Sequence, residues 1–133
     1  KFKTESSTLN KQLKKMDDQI HVRSNIHNTY NEELNNLEWL DVPKEMPSHI
    51  NSSYYMYHIQ TKHRDELAKY LRDNGVYTTF RYYPLHWVEY YKLGIKLPNT
   101  DYAANNTLCI PLHQSLTDND IDKIITLIKS FKK

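Results

Sequence analysis

Between Glu5 and Leu37 the chain holds neither glycine nor proline, and Leu9, Leu13, Met16, Ile20, Tyr30, Leu34 and Leu37 recur mostly at three- and four-residue steps. A stretch with no breaker and that period reads as an amphipathic helix. Lys14, Lys15, Asp17 and Asp18 take the opposite face. One long helix over 5–37, or two with a break near Ser24, both satisfy the pattern. Its apolar stripe can pack on its own domain, and a helix this long is also expected to dock on a neighbouring domain or subunit.

The remaining chain limits what that helix can belong to. With 133 residues there is room for one domain. A domain this size buries roughly two-thirds of the surface its unfolded chain exposes, enough for a real core. Much of the apolar content is aromatic, with 11 Tyr, 3 Phe and 2 Trp. Tyr suits half-buried strands and interfaces, because its ring packs while its hydroxyl stays bonded or wet; a coding bias toward Tyr, Asn, Lys and Ile accounts for the count equally well. The formal charge of +2 gives no reason to expect nucleic acid or an acidic membrane as partner. A lone thiol, Cys109, staples nothing and has no ligand-spaced partner, so a reducing, cytoplasmic setting is the expectation. Only Gly75 and Gly94 are glycine, and no phosphate-cradling motif or nucleophile elbow occurs, so the chain carries no cofactor cradle of its own. It opens on Lys1 rather than Met, which fits a fragment, a processed product or a trimmed chain.

Beyond the first helix, Pro43, Pro47, Ser48 and Asn51 to Ser53 mark a connector over 41–53. Tyr54 to Gln60 reads as a strand and residues 62–73 as a helix, with Leu67, Tyr70 and Leu71 on one side. Asn74-Gly75 ends that helix, since glycine takes the left-handed C-terminal conformation without a Cβ clash. Residues 76–83 read as a second strand, with Val76, Thr78, Phe80 and Tyr82 on one face, stopped by Pro84. Residues 86–92 suit one short helix, Gly94 to Pro98 a loop, and Asn99 to about Asn106 another short helix. Thr107 to Ile110 suits a third strand, and Thr117 caps a final helix over 118–131 with Ile121, Ile124, Ile125 and Ile128 on its apolar side. The expected fold class is α+β, a small antiparallel or mixed sheet packed with helices behind a long N-terminal helix. Residues 1–40 form the helical junction and 41–133 the α+β body, one structural domain overall.

Four blocks in order carry a resemblance. Asp73-Asn74-Gly75-Val76-Tyr77-Thr78-Thr79-Phe80-Arg81-Tyr82-Tyr83-Pro84-Leu85-His86 resembles a motif of the DegT/DnrJ-type sugar aminotransferases, a helix ending in Asn-Gly and a strand running into His-Tyr or Arg-Tyr, Pro, an apolar residue and His. Leu108-Cys109-Ile110-Pro111-Leu112-His113 is similar to that family's Leu-Pro-Leu-His block, and Ser115-Leu116-Thr117-Asp118 with the Ile-rich helix to its usual C-terminus. Lys11-Gln12-Leu13-Lys14-Lys15-Met16-Asp17, with Arg23 and Tyr30, is similar to its Gln-Leu-x-x-Leu-Asp … Arg … Tyr helix. The resemblance covers about residues 9–131; Lys1 to Thr8 match poorly.

The resemblance implies the C-terminal small domain of a fold type I enzyme that uses pyridoxal phosphate, docked through its long helix on a large domain that lies earlier in the family's sequence. The Schiff-base lysine, the aspartate on the pyridine nitrogen and most phosphate-binding groups belong to that large domain; none maps here, so the chain alone is expected to be catalytically inactive and to bind no cofactor. It further implies a nucleotide-linked keto-sugar as substrate, with a lean toward C4 of dTDP-linked 6-deoxy sugars, glutamate as amino donor, and a homodimer when full length. Arg81 is the leading substrate-binding candidate, at a strand end where a guanidinium forks onto phosphate or carboxylate. Tyr82, Tyr83 and His86 follow in the same loop and could bond sugar hydroxyls or a diphosphate; the competing reading packs Tyr82 in the core and makes His86 a helix cap. The lysines lie at predicted helix surfaces or in the tail. His58 with His63, and His21 with His27, lack zinc-ligand spacing, so no metal site is expected, and Cys109 reads as a small buried hydrophobe. The alternative is a truncated, non-catalytic interaction module that docks on a full-length relative through the exposed half of helix 5–37.

Overall fold

The computed structural model describes residues 2–80 and 82–132. Seven regular elements follow in order: α1 (Phe2–Leu13), α2 (Met16–Leu34), β1 (Tyr57–Gln60), α3 (Arg64–Asp73), α4 (Pro98–Asn106), β2 (Thr107–Ile110) and α5 (Asp118–Ser130). Two single 3₁₀ turns, Leu85–Trp87 and Glu89–Tyr91, interrupt the long loop before α4.

The helical run is broken at Lys14–Lys15, not near Ser24. Lys15 N–H bonds back three residues to the Gln12 carbonyl (3.1 Å), a tightened turn that ends α1. Asp17 and Asp18 then open α2, where acidic groups complement the positive helix end, while Lys11 lies in the last turn of α1. Ser24 leaves the helix intact by bonding its hydroxyl to the His21 carbonyl (2.8 Å).

The core lies where α2, α3 and α5 cover one face of an antiparallel β1–β2 pair. Its register sets Tyr57 opposite Ile110 and Ile59 opposite Leu108, and all four are buried. Ile26, Tyr30 and Leu34 project from α2 at four-residue steps, Leu67 and Leu71 from α3, and Ile121, Ile124, Ile125 and Ile128 from α5. Tyr30 is fully buried and donates its hydroxyl to the Pro111 carbonyl (2.9 Å); Tyr57 donates to Asn31 Oδ1 (2.7 Å). Burial pushes both phenols well above their ordinary range, so each remains a neutral donor. Thr117 caps α5 in a reciprocal box with Asp120.

The sheet is smaller than expected. The first strand begins only at Tyr57, because Tyr54 takes a left-handed conformation (φ 46°). Residues 76–80 and 82–83, expected within a strand over 76–83, do not form one. After a complete Schellman end to α3, with Gly75 N–H on Arg72 O and Val76 N–H on Leu71 O, only Thr79 pairs with β2, through two bonds to Cys109 (3.0 and 2.9 Å). The expected common face of Val76, Phe80 and Tyr82 is not formed either: Val76 is buried while Phe80 and Tyr82 are exposed. Phe80 and Tyr82 lie exposed here, and aromatic residues favour a strand only where neighbours cover them. Asp41 makes a matching single bridge on the outer edge of β1. Residues 86–92, expected as one helix, form the two separate 3₁₀ turns.

Replacing Tyr30 by Phe removes the donor to a half-buried carbonyl and leaves the ring volume intact. We expect a loss of about 1–2 kcal/mol in urea unfolding, with the denaturant slope unchanged; equal stability would show that the bond is immaterial to the fold.

Candidate functional site

Of the four residues singled out from sequence, Arg81 lies outside the described residues. Tyr82 and Tyr83 are 72% and 68% exposed, so neither belongs to the core. His86 behaves differently. Its side chain is only 4% exposed, and Nε2 lies 2.6 Å from Oδ1 of Asp101 in the first turn of α4. A carboxylate oxygen accepts, so Nε2 carries the hydrogen. The Trp87 ring sits 5.8 Å from both the His86 and the Tyr83 rings, edge-on to the latter. The loop thus joins Tyr83, Trp87, His86 and Asp101 in one line.

Three contributors were not legible beforehand. Arg64, at the start of α3, donates Nη1 to the Ala104 carbonyl near the end of α4, and its guanidinium lies 4.7 Å from the Phe80 ring centre. That one side chain ties α3, α4 and the approach to residue 81. Asp101 and Trp87 stand 15 residues and one residue from His86, spacings that mark no motif. The first-turn acidic position of Asp101 was the one available hint.

Around this loop the surface is apolar and aromatic. Tyr77, Phe80, Leu85, Tyr90, Leu93 and Ile95 are all largely open, Tyr90 at 86%. On α1 and the start of α2, Leu9, Leu13 and Met16 are exposed as well. Isolated exposed apolar residues are ordinary; here several fall within one stretch of chain, 77–95.

Clefts also lie elsewhere among the described residues, two of them beside the sheet and α2. One, of about 410 Å³, has a floor of Val76, Cys109, Ile110 and Ile124 with Lys123 and His113 at its rim. Cys109 is buried there, with Sγ 4.0 Å from Met56 Sδ, in line with its reading as a small hydrophobe. The second, of about 680 Å³, separates α2 from the 43–56 connector. His27 lines it, its ring edge-on to Tyr54 and Tyr57 at 5.1 and 5.0 Å, and its Nδ1 is buried without a hydrogen-bond partner. Burial pushes the His27 imidazole below its ordinary value, a hydrogen bond with Asn28 opposes this, and nearby His58 adds a smaller downward push. Partial burial lowers His58 too.

The described lysines do not fit a Schiff-base site for pyridoxal phosphate. A Schiff-base lysine needs a desolvated or cation-flanked amine, yet every lysine from Lys11 to Lys132 is exposed. Among the described residues no group of three or more His, Cys, Asp or Glu side chains could hold a metal ion. No described helix is long and apolar enough to cross a membrane.

The described elements form a small α+β fold with exposed aromatic side chains around the 82–91 loop. The DegT/DnrJ/EryC1/StrS aminotransferase family model matches residues 3–129, and the chain belongs to that family. It is 36% identical over 112 residues to the dTDP-4-dehydro-2,3,6-trideoxy-D-glucose 4-aminotransferase of Saccharopolyspora spinosa, covering 83% of this chain and 29% of that protein. Among solved structures it resembles the aminotransferase TlmJ of Streptoalloteichus hindustanus, with TM-score 0.89 and 38% identity over 91% of this chain and 34% of the other. A family member from Brucella abortus gives 0.82 and 31% over 91% and 33%. The chain therefore spans about a third of the length of the relatives it matches.

The lowered His27 and His58 values give stability a pH dependence. The unfolded imidazoles take up protons first, near their ordinary 6.5, so stability is full above that pH and falls as pH drops from there through the folded values. Thermal melts from pH 7.5 to 5 should show a falling Tm, with a shallower slope in His27→Gln. A flat profile in the native chain would contradict the assignment.

Proposed function

We propose that the chain is the C-terminal small domain of a pyridoxal-phosphate-dependent transaminase acting on a nucleotide-linked keto-sugar. Its part is to close over the substrate with the Arg81–Tyr83 loop while another domain supplies the Schiff-base lysine. The observation that carries this reading is the loop itself: two outward tyrosines on a buried anchor, within an apolar face that this chain leaves uncovered. Phenol hydroxyls bond sugar oxygens and their rings stack on a base, while the Arg81 guanidinium would fork onto a diphosphate. The name of the Saccharopolyspora relative favours a dTDP-linked 4-keto-6-deoxy sugar. The exposed apolar residues of α1 suit the junction with the large domain, and the complete protein would work as a homodimer.

Two measurements test this. Incubated with pyridoxal phosphate and borohydride, the chain should form no stoichiometric lysine adduct; a single adduct at one lysine would place the Schiff base here and overturn the division of labour. The coding DNA upstream of Lys1 should hold, in frame, a large domain with its own lysine. A start codon directly before Lys1 would favour instead a non-catalytic module docking on a full-length relative.

A further inference from the structure

The loop carrying Tyr82 and Tyr83 has little regular structure to hold it. Between Thr79 and α4 it contains two one-turn 3₁₀ segments, whose few bonds offer little stability alone. Two left-handed residues, Lys92 (φ 45°) and Gly94 (φ 59°), turn the chain back toward α4. Leu85 is 67% exposed, yet the adjacent His86 imidazole is almost wholly buried on Asp101.

From this geometry we infer that His86 and Asp101 are a positioning pair, a latch that sets the outward presentation of Tyr83, and with it Tyr82, without touching the ligand. The inference rests on the reading of this loop as the substrate contact. The hydrogen bond closes a 15-residue excursion by fastening its start to the first turn of α4. That helix is itself fixed at its other end, where Arg64 of α3 holds the Ala104 carbonyl. The latch is therefore tied to the core through α3, which buries Leu67 and Leu71. On the loop side the order passes through Trp87, whose ring lies against both His86 and Tyr83. A half-buried bond to a charged acceptor is stronger than a neutral one, and removing Asp101 leaves the buried His86 imidazole without that partner.

Hydrogen exchange on the chain by nuclear magnetic resonance decides it. The amides of Trp87, Val88, Tyr91 and Lys92 bond within the two turns, while those of Gln60 and Val76 bond at the sheet and at the end of α3. His86→Phe keeps a ring and removes the donor; Asp101→Ala removes the acceptor from the exposed side; Asp101→Asn retains an acceptor oxygen. His86→Phe and Asp101→Ala should each lower loop protection about tenfold and erase the Tyr83–Trp87 ring cross-peak, with Gln60, Val76 and Tm nearly unchanged. Asp101→Asn should retain most of both. Three results overturn the latch: a native loop without protection, loop protection indifferent to both variants, or core protection that falls in step with the loop. Should His86→Phe fail to fold, Asp101→Ala answers alone. None of these readouts needs a ligand. A failed latch therefore leaves the substrate reading standing, and failure of a dTDP-sugar to bind the complete protein would sink that reading while leaving the latch intact.

Discussion

The antiparallel pairing of Tyr57–Gln60 with Thr107–Ile110 is the contact on which the rest of the molecule depends. It joins segments about fifty residues apart and places Tyr57, Ile59, Leu108 and Ile110 on one buried face. Closing so long a loop costs conformational entropy, and the apolar faces of α2, α3 and α5 offset that cost. Burying a single isoleucine contributes roughly 1.5–3 kcal/mol, and α5 buries four. Exposed ion pairs such as Lys69–Asp73 and Lys129–Glu33 contribute little beside this. The helices are held by their apolar stripes, with the charges tuning the surface.

Everything between the two strands is an excursion from that pairing, and its parts differ in how firmly they are held. The first part, α3, is packed on α5 and on β2. Its Schellman end delivers Val76 into the core, and Thr79 touches the sheet edge. From there the chain runs over the surface until α4, fastened by a bond from His86 and braced by Arg64. A segment with few buried apolar contacts and isolated hydrogen bonds belongs to the low-stability end of a protein, where binding elements are commonly found. Tyr77, Phe80, Leu85 and Tyr90 stand exposed along it.

Histidines show how the same residue type serves opposite ends. In the loop, His86 has a carboxylate partner and orders an exposed segment. On α2, His27 is wedged between two tyrosine rings with a nitrogen left unbonded, beside a connector bent through a left-handed Tyr54. One imidazole secures the candidate site, and the other leaves a pH-sensitive weakness on the flank of the core.

Much of this could be read from the residues alone, wherever a local rule decides. The period of Tyr30 and Leu34 and of the α5 isoleucines, the Asn74-Gly75 stop, the Thr117 cap and the strand at Leu108 each depend on neighbours within a few positions. The family blocks were legible for the same reason. The aromatic run at 76–83 was not, because whether such residues form a strand depends on the packing they find at the sheet edge, and Phe80 and Tyr82 are exposed there. The break at Lys14–Lys15 was legible in principle from basic residues before it and acidic ones after, yet Ser24 was no rival, since its hydroxyl bonds inside the helix. Only the folded chain could pair His86 with Asp101 or set Arg64 under Phe80. Those contacts follow from where the strand pairing returns the chain, which is a property of long-range packing that no local spacing encodes.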